Sequence, residues 1–540
     1  MTAFDDLLEE AGAFGRCQRR IFALLCLVSL PFAGVYAGIV FQGFTPDHWC
    51  RDPALAERRQ ACGWSLADGR RLTAPLVNVS GELQRSSCER YEVDWNVTAL
   101  TCEAEEPHLS GRRTTACKEG WEYDYEGRQS FVTEFDLVCS RGWMADMFQA
   151  SLNVGFLVGS IAIGYLADRS GSKMSFLMSA LMNAVAGILV AVSPNYTSLL
   201  VFRSLSGFGV KGGWMAGQVL ITEMVGVEFR RTVGVLYQMF FSVGLLILPL
   251  LAFFITDWRW LQLAITAPYV LFLSSYRFIP ESPRWLLSQN KKSQVVKITE
   301  SIAKENRRVL SKNIEVHGDL PCSSQQHKQE NSARRSTILQ LFLWFTSAVV
   351  YQGWIMRLGI LGGNVYVDFL ISGLVEFPAA FLILFTIDGM GRRLPFASLC
   401  SVCPDLFLLK TTVARIGRLG ITMAFDMVVF VNTELYPTFV LAAVLSAGTW
   451  GCLCDVGGIV APFLLYRLAV IWLELPLIIF GFLAFLAGGL VLLLPETRGV
   501  PLPDSIQDVE PTLDRTQMRP GGRFPPTSVQ TELLFSHGDL

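Results

Sequence analysis

The chain has 540 residues, of which 51% are apolar and 17% charged, and its formal net charge at pH 7 is −2. This net charge says nothing useful about partners, and no basic face in the sequence suggests a nucleic-acid partner. The apolar residues are concentrated in runs of about 20, the length of a helix that crosses the hydrocarbon core of a bilayer. The composition therefore indicates an all-α membrane protein in contact with the lipid bilayer.

Twelve such runs are predicted to be membrane-spanning helices. They lie roughly at residues 21–41, 147–166, 174–193, 199–219, 233–255, 260–279, 337–355, 366–387, 394–409, 419–436, 440–466 and 470–494. The first run is not predicted to be a cleaved signal peptide, because the 20 residues before it carry charges of both signs and no small-residue cleavage site follows it.

The polar segment between the first two spans, residues 42–146, holds an even set of cysteines. They are Cys50, Cys62, Cys88, Cys102, Cys117 and Cys139. Such a set indicates three disulfides in an oxidising compartment, and no spacing in this loop fits a CxxC-type metal site. Two N-glycosylation sequons, at Asn78 and Asn96, also favour an extracellular loop. The spacing leaves the pairing of the cysteines open.

The spans divide the chain into two halves. The predicted segments are an N-terminal stretch 1–20, a first six-helix half 21–279 that includes the loop 42–146, a linker 280–336, a second six-helix half 337–494 and a tail 495–540. With the loop outside, twelve spans place both termini in the cytosol. The tail is rich in proline, glycine and polar residues, which is typical of disorder.

Three short motifs occur twice in the same order, at an offset of roughly 210 to 220 residues. The turn 168–173 is repeated at 388–393, Thr222-Glu223 at Thr433-Glu434, and the segment 280–284 at 495–498. Repeated membrane halves around a central cavity are how secondary transporters alternate access. The repeat predicts this architecture before any single residue is considered.

Charged residues in these repeated motifs are predicted to gate the cavity. Short loops that carry both Asp and Arg or Lys can pin neighbouring helix ends in one access state and release them in the other. Positive-inside anchoring explains the basic residues equally well, but it explains neither the Asp nor the Gly. The predicted gating residues are Asp168, Arg169, Lys173, Asp388, Arg392, Arg393, Glu223 and Glu434.

Several kinds of chemistry lack their signature in this sequence. All five histidines lie outside the predicted spans, which argues against haem ligation, a histidine zinc site and a histidine proton relay in the membrane. No GxxxxGK[ST], nucleophile-elbow or HExxH pattern is found. The sequence therefore predicts neither an enzyme nor a cofactor or metal site.

Asp455 is an acidic residue inside an apolar run, with no basic residue within ten positions. A bare charge at the bilayer centre costs about 2.5–3.5 kcal/mol, so this carboxylate should face the interior or a partner. One interpretation is an unpaired counter-ion that waits for a cationic substrate. The other is a salt bridge across the bundle, with Lys211 or Arg418 as the partner.

Aromatic residues favour the first interpretation. Tyr36, Phe156, Trp214, Trp344 and Tyr351 lie in the interior stretches of their spans rather than in an interfacial belt. The faces of aromatic rings attract organic cations by roughly 2 kcal/mol when both are desolvated. Simple packing would explain any one of these rings, but with an acidic residue they predict a cavity that suits a cation.

Longer motifs resemble the polyspecific organic cation transporters, which belong to the organic cation/anion/zwitterion transporter family of the major facilitator superfamily. They stand at residues 43–50, 133–139, 260–262, 280–286 and 434–438, and the likeness extends over about 1–300 and 337–500. The resemblance implies the major facilitator fold, with two six-helix halves around a central cavity and a large disulfide-bonded extracellular loop. It also implies plasma-membrane transport of small organic cations, namely quaternary ammonium compounds, monoamines and guanidines.

By matching positions, the resemblance implies a set of substrate-binding residues. They are Asp455, Trp214, Thr222, Gln218, Tyr36, Phe156, Gln238, Trp344, Tyr351 and Glu376. Gln218 departs from the tyrosine that is usual in the family. The chain departs again in its ninth span and after Thr438, where the family's Arg-Asn is missing.

The first hypothesis is facilitative transport of organic cations, driven by the membrane potential. One alternative is a carrier of anions or carnitine-like zwitterions that uses Lys211 and Arg418 as counter-charges. Another is a transport-incompetent variant, because the ninth span, 394–409, would rise only about 24 Å against a hydrocarbon core of ~30 Å. The loop 42–146 is a candidate surface for a homo-oligomer.

Overall fold

The computed structural model describes residues 3–79, 82–93, 113–125, 127–274, 278–309, 330–357, 364–389, 420–425, 441–472 and 475–491. Helices dominate these ranges. Seven of the described helices are long and apolar enough to cross a membrane, and Leu475–Val491 is a shorter apolar helix. This agrees with the prediction of an all-α membrane protein.

The first half contains six long helices. They are α2 (Arg16–Ala37), α7 (Gly142–Ser170), α8 (Ser172–Ala191), α9 (Tyr196–Met224), α10 (Val227–Phe254) and α11 (Trp258–Phe272). Two of them begin at a capping side chain that satisfies a helix N–H group: Asn195 accepts a hydrogen bond from Ser198, and Asp257 accepts one from Arg259. The helix α2 begins at Arg16, several residues before the predicted span.

The second half is described through four helices and one short piece. The helices are α14 (Glu330–Arg357), α15 (Val365–Gly389), α16 (Leu441–Ile471) and α17 (Leu475–Val491), and residues 420–425 are also helical. The predicted ninth span and most of the tenth lie outside the described residues.

Small residues let α7 and α9 approach each other closely. A Cβ atom added at Gly155 would lie 2.0 Å from the carbonyl oxygen of Ser204, and one at Gly207 would lie 2.3 Å from that of Leu152. No side chain fits at either position. Close backbone contact of this kind is how helices pack inside a bilayer, where burial of apolar surface from water supplies no drive.

Residues 42–146 carry all the described strands, in three antiparallel pairs. β1 (His48–Cys50) pairs with β6 (Trp121–Tyr123), β2 (Leu76–Val79) with β3 (Glu82–Arg85), and β4 (Glu89–Tyr91) with β5 (Thr114–Ala116). The short helices α3 (Ile39–Gln42), α4 (Pro53–Cys62), α5 (Leu66–Thr73) and α6 (Phe131–Glu134) complete this region.

Disulfides hold the loop together. Cys50 is bonded to Cys117 and Cys88 to Cys139, and Cys62 is also disulfide-bonded. Five of the six predicted cysteines are therefore in disulfides. Cys102, Asn96 and the side chain of Asn78 lie outside the described residues, so the two glycosylation sites stay predictions.

The loop also contacts the bundle. Trp258 Nε1, at the start of α11, donates a hydrogen bond of 2.8 Å to Glu134 of α6, and Arg259 forms an ion pair with the same carboxylate. We call this end of the bundle, where α7, α9 and α11 begin, the loop end. The opposite end is called the linker end.

Three further helices lie at the linker end. They are α1 (Ala3–Gly12), α12 (Pro283–Ser288) and α13 (Lys292–Asn306). Leu7 and Leu8 of α1 pack against Leu286 and Val295. Asn306 Nδ2 donates to the Ala11 carbonyl at 2.9 Å. The predicted linker therefore contains helices, and the N-terminal stretch is helical as well.

Candidate functional site

Lys211 and Asp455 form an ion pair between the two halves. Lys211 Nζ lies 2.9 Å from Asp455 Oδ1, and the two side chains are 15% and 2% exposed. Asp455 Oδ2 has no hydrogen-bond partner among the described residues. The expectation of an unpaired carboxylate is therefore wrong in this conformation, and the cross-bundle salt bridge is what the structure contains. The physical reason is that a lone buried charge is costly while an ammonium group lies within reach.

A wall of aromatic rings stands beside this ion pair. The rings of Phe32 and Trp214 stack with centroids 4.6 Å apart, and Phe156 lies 6.1 Å from Phe32. Lys211 Nζ lies 5.5 Å from the centroid of Phe156, within the range of a cation–π contact. Phe32 was not among the predicted residues, although it completes the contact between α2 and α9.

The aromatic wall continues into the second half. The centroids of Tyr36 and Tyr351 are 6.4 Å apart, Tyr351 stacks on Phe425 at 5.3 Å, and Trp344 meets Phe425 edge-on at 5.9 Å. The rings from Trp214 to Phe425 therefore form one surface across both halves. We call this surface, made by Phe32, Tyr36, Phe156, Trp214, Tyr351 and Phe425, the aromatic wall.

Glu376 lies at the far end of the aromatic wall and is 1% exposed. Its carboxylate accepts hydrogen bonds from Ser242 Oγ at 2.7 Å and from Tyr351 Oη at 3.0 Å. A narrow crevice opens beside it between α10, α14 and α15. The crevice is lined by Gln238, Met239, Phe241, Ser242, Tyr351, Glu376, Ala380, Thr422 and Phe425.

The structure thus gathers most of the predicted substrate-binding residues around one interior surface. Gln218 and Thr222 lie further along α9, nearer the linker end, and both are half-buried. The Thr222 hydroxyl donates to the carbonyls of Gln218 and Val219 in its own helix, so in this conformation it is engaged locally. Trp344 is 9% exposed, and its indole N–H has no partner among the described residues.

The first repeated turn contacts the first copy of another repeated motif, which lies at the start of the linker. Gly171, between α7 and α8, has φ +97°, and a Cβ atom there would lie 2.6 Å from Glu281. Glu281 accepts a hydrogen bond from the backbone N–H of Lys173 at 3.0 Å, and Trp285 Nε1 donates to the carbonyl of Asp168 at 2.8 Å. The sequence placed these two motifs in different segments, and the fold brings them together at the linker end.

The other predicted gating residues are only partly described. Glu223 is half-buried and forms a side-chain hydrogen bond with Ser282, and Arg169 is exposed. The backbone of Asp388 belongs to α15, while its side chain and all of Arg392, Arg393 and Glu434 lie outside the described residues. The gating role stays a prediction.

Polar contacts also join α7 to α16 along their length. Asn153 Nδ2 donates to the Gly458 carbonyl at 2.8 Å, Ser160 Oγ lies 3.7 Å from Cys452 Sγ, and Arg467 lies 3.5 Å from Asp146. Sequence reasoning missed this series. Its signal was the spacing of polar residues along α7, at positions 146, 149, 153 and 160, which places them on one face of a helix.

One cluster in the loop has the composition of a metal site. His48, Cys88 and Cys139 lie together, with His48 Nε2 3.9 Å from Cys139 Sγ, and burial lowers the pKa of His48. A lowered pKa favours the neutral imidazole, which is the form that binds a metal ion. The two sulfurs, however, are joined in a disulfide and offer no thiolate.

Comparisons with known proteins agree with this architecture. Residues 125–505 match the family described as Sugar (and other) transporter. Solute carrier family 22 member 2 of Oryctolagus cuniculus is 49% identical over 534 residues, which cover 94% of this chain and 96% of that protein. Solute carrier family 22 member 3 of Mus musculus is 45% identical and covers 98% of this chain and 100% of its own length.

Among solved structures, the partially occluded inward-open conformation of the xylose transporter XylE from E. coli aligns with a TM-score of 0.57. It is 16% identical and covers 90% of this chain and 99% of that chain. The alignment shows the major facilitator fold. The two family 22 relatives, which are 45–49% identical over nearly the whole length, confirm the family indicated by the motifs: the chain belongs to solute carrier family 22 and is a membrane transporter of organic solutes, not an enzyme.

Proposed function

We propose that this protein transports organic cations by alternating access, with quaternary ammonium compounds, monoamines and guanidines as its substrate class. The observation that carries the proposal is the aromatic wall, which extends from the Lys211–Asp455 pair to Glu376. A surface of aromatic ring faces between two buried carboxylates suits an organic cation, because the rings attract the positive charge and the carboxylates neutralise it.

Substrate binding on this account is an exchange of partners at Asp455. The entering cation replaces the Lys211 ammonium, so the number of positive charges beside the carboxylate stays the same. Lys211 keeps a favourable contact after release, since its Nζ already lies 5.5 Å from the Phe156 ring centroid. The exchange avoids the high cost of leaving a buried carboxylate unpaired in the empty carrier.

The membrane potential is the proposed driving force. Moving one positive charge through 100 mV is worth about 2.3 kcal/mol, which corresponds to roughly 50-fold accumulation. No coupled ion is needed for uptake on this scale. The transporter therefore acts as a uniporter: the substrate carries one positive charge across the membrane, while the charge of Lys211 stays in the protein.

The proposed location is the plasma membrane, with the loop end outside and both termini in the cytosol. The disulfides of residues 42–146 support an oxidising compartment at the loop end. The sequons at Asn78 and Asn96 would then be glycosylated. The loop is also the surface through which protomers would associate.

Uptake of labelled tetraethylammonium tests this function. Cells that express the chain should accumulate the label above control cells, and raising external potassium should reduce uptake severalfold, because depolarisation removes the driving force. Uptake that does not change on depolarisation would favour an anion or zwitterion carrier. Absence of uptake with the protein at the surface would favour the transport-incompetent alternative.

A further inference from the structure

A second ion pair joins the two halves at the loop end. Arg467 Nη2, near the end of α16, lies 3.5 Å from Asp146 Oδ2, near the start of α7. The Asp146 side chain is 6% exposed and the Arg467 side chain is 48% exposed. Asp146 Oδ2 has no hydrogen-bond partner among the described residues, so Arg467 neutralises it without a full hydrogen bond.

Asp146 is held firmly on the first half. The Tyr196 hydroxyl at the start of α9 donates to the Met144 carbonyl at 2.7 Å, and Gln149 Nε2 donates to the Tyr36 carbonyl at 3.3 Å. These contacts fix the first turns of α7 on either side of the carboxylate. Arg467 belongs to the other half and is half exposed, so it withdraws when the halves part at this end.

The two ion pairs between the halves have the same arrangement, in which a basic side chain of one half covers a buried carboxylate of the other. Asp455 of the second half is covered by Lys211 of the first, and Asp146 of the first half is covered by Arg467 of the second. The positions 455 and 467 are about 18 Å apart along α16. In each pair, separation of the halves removes the basic residue from a buried carboxylate.

We propose that Asp146 is an outer binding site for the organic cation, occupied in the closed conformation by the guanidinium of Arg467. The proposal rests on the proposed cation transport. When the loop end opens, Arg467 withdraws with the second half and leaves the buried carboxylate of Asp146 without this cationic partner. An ammonium or guanidinium group takes the place of Arg467 there, as a substrate later takes the place of Lys211 at Asp455.

Further contacts at the loop end must break when this end of the bundle opens. Arg128 lies 4.5 Å from the centroid of the Phe44 ring and donates to the Tyr366 hydroxyl at 3.3 Å, and the Phe41 and Phe369 rings are 5.2 Å apart. These contacts close the same end of the bundle. The outer site is therefore available to external cations only in the open state, which makes it a site for substrate selection and not a permanent surface charge.

Opposite effects of two substitutions distinguish a cation site from a simple latch. The measured quantity is the external concentration of tetrapentylammonium that halves tetraethylammonium uptake. It is compared between variants that are present in equal amounts at the cell surface, at the same membrane voltage. Asp146→Asn should raise this concentration on the order of tenfold, since the attracting charge is lost. Arg467→Gln should lower it severalfold, since the competing guanidinium is lost, and the double variant should match Asp146→Asn.

A latch without cation binding predicts a different pattern, because either substitution breaks the same pair. The two single variants would then shift the concentration in the same direction, and that result would overturn the proposal. The Asp47→Asn variant is the matched control, since Asp47 forms an exposed ion pair with Arg70 in the loop and its loss changes net charge equally.

The outcomes separate this proposal from the proposed function. If Asp146→Asn does not reach the surface, Arg467→Gln is also tested with an uncharged inhibitor: a cation site lowers only the tetrapentylammonium concentration, whereas a latch lowers the concentrations of both inhibitors. If wild-type uptake depends on voltage and neither variant changes inhibition, the outer site is refuted and cation transport stands. If the wild-type protein neither transports nor is inhibited by quaternary ammonium ions, both proposals fail.

Discussion

Asp455 and Glu376 are two buried acidic residues of the second half whose described contacts differ in kind. Asp455 faces the Lys211 ammonium at 2.9 Å, whereas Glu376 accepts hydrogen bonds from the neutral hydroxyls of Ser242 and Tyr351. An ionic partner can be exchanged for another cation without changing the local charge. Neutral hydroxyl donors instead fix the orientation of a carboxylate through directed hydrogen bonds. On the proposed function, Asp455 binds the positive charge of the substrate. Glu376 contributes to the electrostatic potential and to the shape of the crevice that it lines.

The largest expected effect follows from removal of the exchangeable carboxylate. Asp455→Asn should reduce uptake of a permanent cation more than 100-fold, on the order of the loss of a buried ion pair. Surface biotinylation should show that the protein still reaches the membrane. Asp455→Glu, which keeps the charge, is the control and should retain part of the uptake. Near-normal uptake by the Asn variant would show that Asp455 does not bind the charge of the substrate.

Removal of the competing ammonium should have a smaller effect of a different kind. Lys211→Gln leaves Asp455 without its described cationic partner, so the half-saturating concentration of tetraethylammonium should fall about tenfold. Maximal uptake should also fall, because the bound cation has no competitor to assist its release. Concentration dependence of initial rates measures both quantities. A rise in the half-saturating concentration would mean that Lys211 does not compete with substrate.

Glu376→Gln should weaken uptake severalfold, less than Asp455→Asn. The amide keeps an acceptor oxygen for Ser242 or Tyr351, so the packing survives while the negative charge is lost. Tyr351→Phe removes one hydrogen bond of about 1 kcal/mol and keeps the ring and the charge. If Tyr351→Phe proved more damaging than Glu376→Gln, hydrogen bonding and not charge would be the contribution of this region.

The smallest expected effect concerns the aromatic wall beside Lys211. Phe156→Leu keeps an apolar side chain but removes the ring that lies 5.5 Å from Lys211 Nζ. Affinity for quaternary ammonium ions should fall about threefold, in the lower range of cation–π energies. The packing of α7 against its neighbours should change little, and the unfolding temperature of the variant in detergent would check this. If the affinity of this variant for quaternary ammonium ions were unchanged, Phe156 would make no cation–π contact with the substrate, and only other rings of the aromatic wall could do so.

The ionisable and aromatic residues of the site could be predicted from the sequence, but most of their ion-pair and hydrogen-bond partners could not. Asp455, Glu376, Tyr36 and Trp214 were all predicted, because charges and interior rings in apolar spans are conspicuous. Lys211 was named only as one of two candidate partners. It lies 244 residues from Asp455, and Ser242 lies 134 from Glu376. Contacts at such separations depend on how helices pack, which local patterns do not encode.

The same limit applies to the motifs at the linker end and to the disulfides. The turn 168–173 and the segment 280–286 were predicted in separate roles, and the Trp285–Asp168 contact between them depends on the tertiary fold. The even set of loop cysteines indicated disulfides, whereas their pairing was left open. The repeat of three motifs in the same order and at similar offsets, by contrast, was sufficient to predict two halves, because a duplication is visible directly in the order of residues.

The most direct test of the exchange at Asp455 is a voltage-clamp measurement. Tetraethylammonium applied at the loop side of cells that express the wild-type chain should evoke an inward current that grows as the membrane is hyperpolarised. The same application to Asp455→Asn, at equal surface amount, should evoke no current. A current of wild-type size in that variant, or a wild-type uptake that carries no current, would contradict cation binding at this carboxylate.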